Sequence, residues 1–136
     1  MLTIGLKTDI QSLDVGSPNG VTNANTDWVM YDRLVQIEKD GTITPRLWKE
    51  WSHNEDGTEW YITLREGVFF HNGKPFTSES MKVTLERMAT DTTLLFHGNW
   101  STLTEVEIID DLNFTLKYSE PNGNVLNVAQ NQAYVA

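Results

Sequence analysis

Hydrophobic and polar positions follow one another along this chain in an order that predicts most of its elements. Leu2, Ile4 and Leu6 alternate with Thr3 and Gly5, the pattern of a short strand with one covered face. A polar loop rich in Asp, Ser, Gly, Pro and Asn runs from Lys7 to Asn25. Its stretch from Gln11 onward is long for a connection inside a domain, which marks it as a functional segment or as an arm near a terminus. Trp28, Val29, Tyr31 and Leu34, with Asp27 in the first turn, predict a short helix over 26–34. "LVQIEKDGTITP" predicts a hairpin, with a strand over 34–38, a tight turn at Asp40-Gly41 and a return strand over 42–44 that Pro45 ends.

Leu47, Trp48 and Trp51, at i, i+1 and i+4, predict one helical turn. A second hairpin flanks Glu55, Asp56 and Gly57, with strands over 52–54 and 58–65; Trp60, Ile62 and Leu64 share one face, Tyr61, Thr63 and Arg65 the other. Gly67 then breaks the strand, 68–70 resume it, Asn72-Gly73 turns it, and Pro75 prevents further pairing. Thr77 is placed as the N-cap of a helix over 78–89, with Glu79 near the positive end of its dipole and Met81, Leu85 and Met88 as its apolar stripe. The chain from 90 to 100 reads as irregular. Two strands follow around Asp110-Asp111, the first alternating Val106 and Ile108 with Glu105 and Glu107, the second Phe114, Leu116 and Tyr118 with Asn113, Thr115 and Lys117. The fold class is α+β, mainly antiparallel sheet with a few helices. After "SEPNGN" the stretch "VLNVAQNQAYVA" reads as having no cap and no closing element, as in a segment of a longer protein.

Composition narrows the chemistry. A chain of 136 residues can bury roughly two-thirds of its unfolded surface, enough for one core. Nineteen acidic against ten basic side chains give a net charge of -9, and the basic residues are scattered, so nucleic acid is not a partner this surface attracts. Cysteine is absent, which removes disulfides, thiolate catalysis and Cys-ligated metals from the segment. No stretch approaches the ~20 apolar residues of a membrane span.

No catalytic motif emerges. His53, His71 and His97 lack the spacing that puts two rings on one metal, and "SHNEDG" lacks the register of a calcium loop, so no metal ligands are assigned. There is no G-x-S-x-G elbow and no glycine-rich phosphate loop. Five tryptophans remain to be explained. Trp48, Trp51 and Trp60 fall on regular elements and are assigned to the core, whereas Trp28 and Trp100, beside irregular segments, are candidates for a ligand wall.

The stretch "MYDRLVQIEKDGTITPRLWKEWSHNEDGTEWYITLREGVFFHNGKPFTSESM" resembles the signature region of the family 5 extracellular solute-binding proteins, the oligopeptide-, dipeptide- and nickel-binding components of ABC importers. The positions that carry it are Tyr31, Leu34, Asp40, Gly41, Pro45, Trp51, Asp56, Gly57, Leu64, Arg65, Gly67, Phe70, Gly73, Pro75, Phe76 and Thr77, here read as scaffold. Trp48 stands where Ala is usual, and Asn72 where Asp is common. "LTIGLKTDIQSLDVG" and "VEIIDDLNFTLKYSEPNG" extend the likeness to nearly the whole chain.

The resemblance implies an α/β-type periplasmic-binding-protein architecture, type II-like, of which this chain is an incomplete first lobe: 1–33 the start of lobe one and 34–136 the small extra subdomain. It implies capture of a peptide, or of nickel or a metal chelate, by lobe closure, without catalysis and without a cofactor. Its partners are the small solute and the ABC permease in the membrane, in the periplasm or on the outer face of the cell membrane, lipid-anchored or soluble. Solute contacts map to Thr22, Asn23, Asn25 and Asp27 and to His97 and Trp100. A different class of reading is a carbohydrate-active domain with exposed tryptophan platforms and with Glu105 and Glu107, at i and i+2 on one strand face, as acid and base roughly 7 Å apart.

Overall fold

The computed structural model describes residues 12, 14, 16, 17, 30–132, 134 and 135. Its centre is an antiparallel sheet of four strands in the order β4-β5-β7-β6, formed by β4 (Trp48–His53), β5 (Glu59–Leu64), β6 (Leu103–Ile108) and β7 (Asn113–Tyr118). Smaller antiparallel pairs join β2 (Val35–Ile37) to β3 (Ile43–Pro45), and β1 (Asp32–Arg33) to β8 (Tyr134–Val135). The helices are α1 (Ser78–Thr90), the single turn α2 (His97–Trp100) and α3 (Val125–Gln132).

Both predicted hairpins form, and the turn chemistry explains why. At the first, Gly41 adopts φ +87°, a left-handed conformation that costs glycine little, and Asp40 Oδ1 accepts the Thr42 N–H at 2.9 Å. At the second, Asn54 Oδ1 accepts the N–H groups of Thr58 (2.9 Å) and Glu59 (3.1 Å), closing the loop through Asp56 and Gly57. The β6–β7 turn works the same way: Asp110 Oδ1 receives the N–H groups of Leu112 and Asn113 at 2.8 and 2.9 Å, and these bonds hold the Asp110 carboxyl below the ordinary carboxylate range.

One face of the large sheet carries the core. Trp48, Trp60, Ile62, Leu64, Val106, Phe114 and Leu116 are buried there against Met81, Leu85 and Met88 of α1. Trp48 meets the Phe114 ring edge-on at 6.3 Å. Thr77 stands at the N-cap of α1 as predicted, in an extended conformation, with its backbone N–H donating to the Ser80 hydroxyl at 3.4 Å. The next N–H, of Ser78, donates to the Asp111 carbonyl at 2.8 Å, tying the start of the helix to the β6–β7 turn.

Several expectations need correction. The segment holding Leu47, Trp48 and Trp51 is not a helical turn: Trp48–His53 is strand β4. A β-bulge between Trp48 and Glu50 lets residues three apart, Trp48 and Trp51, take the same face, which imitates helical spacing. Asp32 and Arg33, expected at the end of a helix, form β1, because β8 supplies a partner strand from a hundred residues away. Pro45 ends β3 as expected, but Pro75 does not stand outside pairing: it is the bridge partner of Phe69 at a position where the neighbours make the bonds, Phe70 N–H to the Lys74 carbonyl and Phe76 N–H to the Val68 carbonyl, so no N–H is needed from the proline. The stretch after Gly123 is not featureless; it makes α3, whose Gln130 side chain accepts the Ile37 N–H at 2.8 Å, and then β8. In the region read as irregular, His97–Trp100 adds the turn of α2. The first predicted strand and most of the loop to Asn25 lie outside the described residues, as does the greater part of the helix predicted over 26–34.

Candidate functional site

The described part of the long first loop docks at the corner between α1 and α2. Asp14 accepts from Arg87 of α1 through both carboxylate oxygens, Nη1 to Oδ1 at 3.3 Å and Nη2 to Oδ2 more closely. The guanidinium hydrogen bond is the main reason the Asp14 carboxyl lies below its ordinary range, with the Gly16 N–H adding to it, while partial burial opposes both. Two residues on, the Gly16 carbonyl accepts the Leu95 N–H at 3.0 Å. Gly16 is buried against Leu94: a Cβ on it would come within 3.0 Å of Leu94 Cδ2. A larger residue here would press on Leu94, so glycine is favoured by a close approach and not by an unusual φ.

The corner brings the loop beside α2, which carries the two candidate solute residues in the described chain. His97 is half-buried, and its Nδ1 lies 3.2 Å from the Met88 carbonyl, so the ring is moored to the end of α1. Trp100 is fully buried, and its Nε1 has no hydrogen-bond partner. Its indole therefore supports the turn from beneath and offers no face to a solute, because the irregular-looking segment folds over the core instead of away from it. Thr22, Asn23, Asn25, Asp27 and Trp28 lie outside the described residues.

A second, polar recess of about 380 Å³ opens between β1, β2 and α3, lined by Tyr31, Asp32, Arg33, Gln36, Ile37, Arg46 and Gln130. Arg46 is fixed on its rim by donating through Nε to Gln36 Oε1 at 3.0 Å. Neither this recess nor the Asp14–Arg87 corner was legible beforehand. Each joins residues some seventy to a hundred positions apart, and no local periodicity records such a pairing.

Reactive groups are not assembled at either place. Among the described residues no three His, Cys, Asp or Glu side chains converge as a metal site. Glu105 and Glu107, the acid and base of the carbohydrate reading, do share one strand face, but both are held by the same ammonium: Lys117 Nζ lies 3.1 Å from Glu105 Oε2 and 2.9 Å from Glu107 Oε2. Trp48 and Trp60 are in the core as expected, and Trp100, a candidate for an exposed aromatic wall, is buried as well. No helix among the described residues is long and apolar enough to cross a membrane.

The family model described as "Bacterial extracellular solute-binding proteins, family 5 Middle" matches residues 42–136. The nickel-binding periplasmic protein of Escherichia coli K12 is 46% identical over 52 residues, which cover 38% of this chain and 10% of that protein. The probable D,D-dipeptide-binding periplasmic protein DdpA of the same organism is 36% identical over 97 residues, 65% of this chain and 18% of its own length. Among solved structures, the binding protein AgaA in complex with agropinic acid, from A. tumefaciens R10, superposes with a TM-score of 0.85 at 24% identity, covering 96% of this chain and 27% of that one. NikZ from Campylobacter jejuni in complex with Ni(L-His) superposes with a TM-score of 0.80 at 19% identity, over 93% and 26%. These structural likenesses show the fold, the mixed helices and antiparallel sheets of periplasmic binding proteins. The chain spans no more than about a quarter of the length of the relatives it matches, 10% and 18% for the two curated proteins above. With the family model matched over residues 42–136, well over half of the sequence, this chain belongs to the bacterial extracellular solute-binding proteins of family 5.

Proposed function

We propose that this chain is part of the solute-capturing component of an ABC importer, acting in the periplasm or on the outer face of the cell membrane and handing a peptide to permease subunits. The observation that carries the proposal is the family match over 42–136 together with a fold that covers 96% of the chain against a solute-binding protein. Residues 1–33 begin lobe one and 34–136 form the extra subdomain.

In this reading solute contacts come from Thr22, Asn23, Asn25 and Asp27 of the first loop and from His97 of α2, whose Trp100 is buried. The Asp14–Arg87 pair and the Gly16–Leu95 hydrogen bond support it by fixing where that loop leaves the scaffold. The second lobe, outside these residues, completes the cleft, so capture is a closure event and needs no covalent step.

A nickel chelate is the second reading, favoured by the 46% identity over 52 residues to the nickel-binding protein. Calorimetric titration of the complete protein encoded by the reading frame that carries this chain, with di- and tripeptides and with nickel–histidine, decides between them. Saturable peptide binding that Asp27→Ala weakens supports the proposal. Nickel–histidine binding without peptide binding replaces it with the second reading.

A further inference from the structure

The face of the four-stranded sheet opposite α1 carries a groove of about 550 Å³ that the solute-capture reading does not use. Strand register explains its composition. Tyr61 on β5, Thr115 on β7 and Glu107 on β6 are direct cross-strand neighbours and therefore form one row across the outer face. At a strand spacing of about 4.8 Å, Tyr61 and Glu107 stand about 10 Å apart with Thr115 on the floor between them. Ile109 and Glu50 line the same groove.

Three properties of this row point to a ligand. Thr115 is only 6% exposed, yet its hydroxyl makes no hydrogen bond to any described residue, although it sits in a polar groove where a partner could reach it. Tyr61 is 42% exposed and held in place, its hydroxyl donating to Glu59 Oε2 at 2.9 Å, so a rigid aromatic face is presented to solvent. Ile109 is 62% exposed beside it, an apolar surface suited to an alkyl stem. The charge on the face is one-sided. Glu50, Glu59, Glu105 and Glu107 stand on it, and Lys117 bridges Glu105 and Glu107.

We propose that this groove binds a small alkylguanidinium compound, with its planar cation stacked on Tyr61 and paired with Glu107, an N–H donated to the Thr115 hydroxyl, and its stem along Ile109. A planar cation suits the site better than an ammonium, because it can stack on the ring and still donate in its own plane. Lys117 makes the exchange inexpensive: when the ligand takes Glu107, the ammonium keeps Glu105 at 3.1 Å and is not stranded. The groove lies on the far side of the sheet from His97 and from the Asp14–Arg87 pair on α1, so the proposal is independent of solute capture.

The test is titration of the isotope-labelled protein with N-acetyl-arginine amide, followed through backbone amide shifts. Saturable shifts at Tyr61, Glu107 and Thr115, with a Kd of about 1 mM, are expected. The neutral isostere N-acetyl-citrulline amide is expected to leave them unmoved, and N-acetyl-lysine amide to bind several-fold more weakly. Glu107→Gln and the near-isosteric Thr115→Val each weaken binding about tenfold, while Lys117→Met, at a partly exposed position, tightens it. Absence of saturable shifts in the unsubstituted protein overturns the proposal whatever the variants do. So does equal binding of the citrulline compound, or binding of an Ala-Arg-Ala tripeptide amide without binding of the monomer, which would make the face a docking surface for a protein segment.

Discussion

Arg87 holds the Asp14 carboxylate through both of its oxygens across 73 residues of sequence, and in doing so fastens the first loop to the end of α1. Both partners are nearly half exposed, so solvent screens the attraction, and what the pair contributes is position more than stability. Arg87→Met, which keeps the stem of the side chain, should lower global stability by only about 0.5 kcal/mol. The Leu95 amide, whose hydrogen goes to the Gly16 carbonyl, should nevertheless exchange about tenfold faster, because the loop it is bonded to has lost its other anchor. Hydrogen exchange read together with urea denaturation separates the two effects.

The same pair sets a pH dependence. The Asp14 carboxyl is held below its ordinary value chiefly by the Arg87 hydrogen bond, so its contribution is complete above the usual carboxylate range near about 4 and is lost as pH falls through the depressed value. The urea midpoint should therefore fall between about pH 5 and pH 2.5 by less in Asp14→Asn than in the parent chain. Equal slopes for the two proteins would mean that the pair is absent in solution.

Two buried tryptophans make opposite use of their N–H groups. Trp60 Nε1 donates to the Asn122 carbonyl at 3.1 Å and pins the chain leaving β7 back onto β5, whereas Trp48 Nε1 is buried without a partner. Trp48→Phe removes an uncompensated donor along with some volume, and Trp60→Phe breaks a bond. Trp60→Phe should be the more destabilising by about 1 kcal/mol, measured as the difference in unfolding free energy.

Gly16 and Gly67 should resist alanine for different reasons. At Gly16 the new methyl would meet Leu94 Cδ2 at 3.0 Å, a clash that costs about 1 kcal/mol and that a second substitution, Leu94→Val, should relieve. At Gly67 the space is open but φ is +71°, so Gly67→Ala should cost about 1 kcal/mol that no neighbouring substitution recovers. A double-mutant cycle by thermal denaturation checks the contrast.

The hairpins and α1 were legible because their signals are local: Asp40-Gly41, Asn54 ahead of Gly57, and Thr77 before the Met81, Leu85, Met88 stripe each act within a few residues. What misled the reading of β4 was equally physical. Its bulge shifts the pleat by one position, so Trp48 and Trp51 face inward together, and the bulge between Leu103 and Glu105 does the same for Leu103 and Val106. Alternation is the only record a strand leaves in sequence, and a bulge erases it. The candidate site was less legible than the fold, since Asp14, Gly16, Arg87 and Leu95 meet only after the chain has closed on itself. The buried state of Trp100 was hidden for the same reason.

Both irregularities in the large sheet fall on its outermost strands, β4 and β6. A kinked outer strand presents a broken row of donors and acceptors, so a second molecule cannot lay a straight strand along it. The sheet thus breaks its own pairing rows on both sides, which works against the strand-by-strand addition that a flat-edged sheet invites.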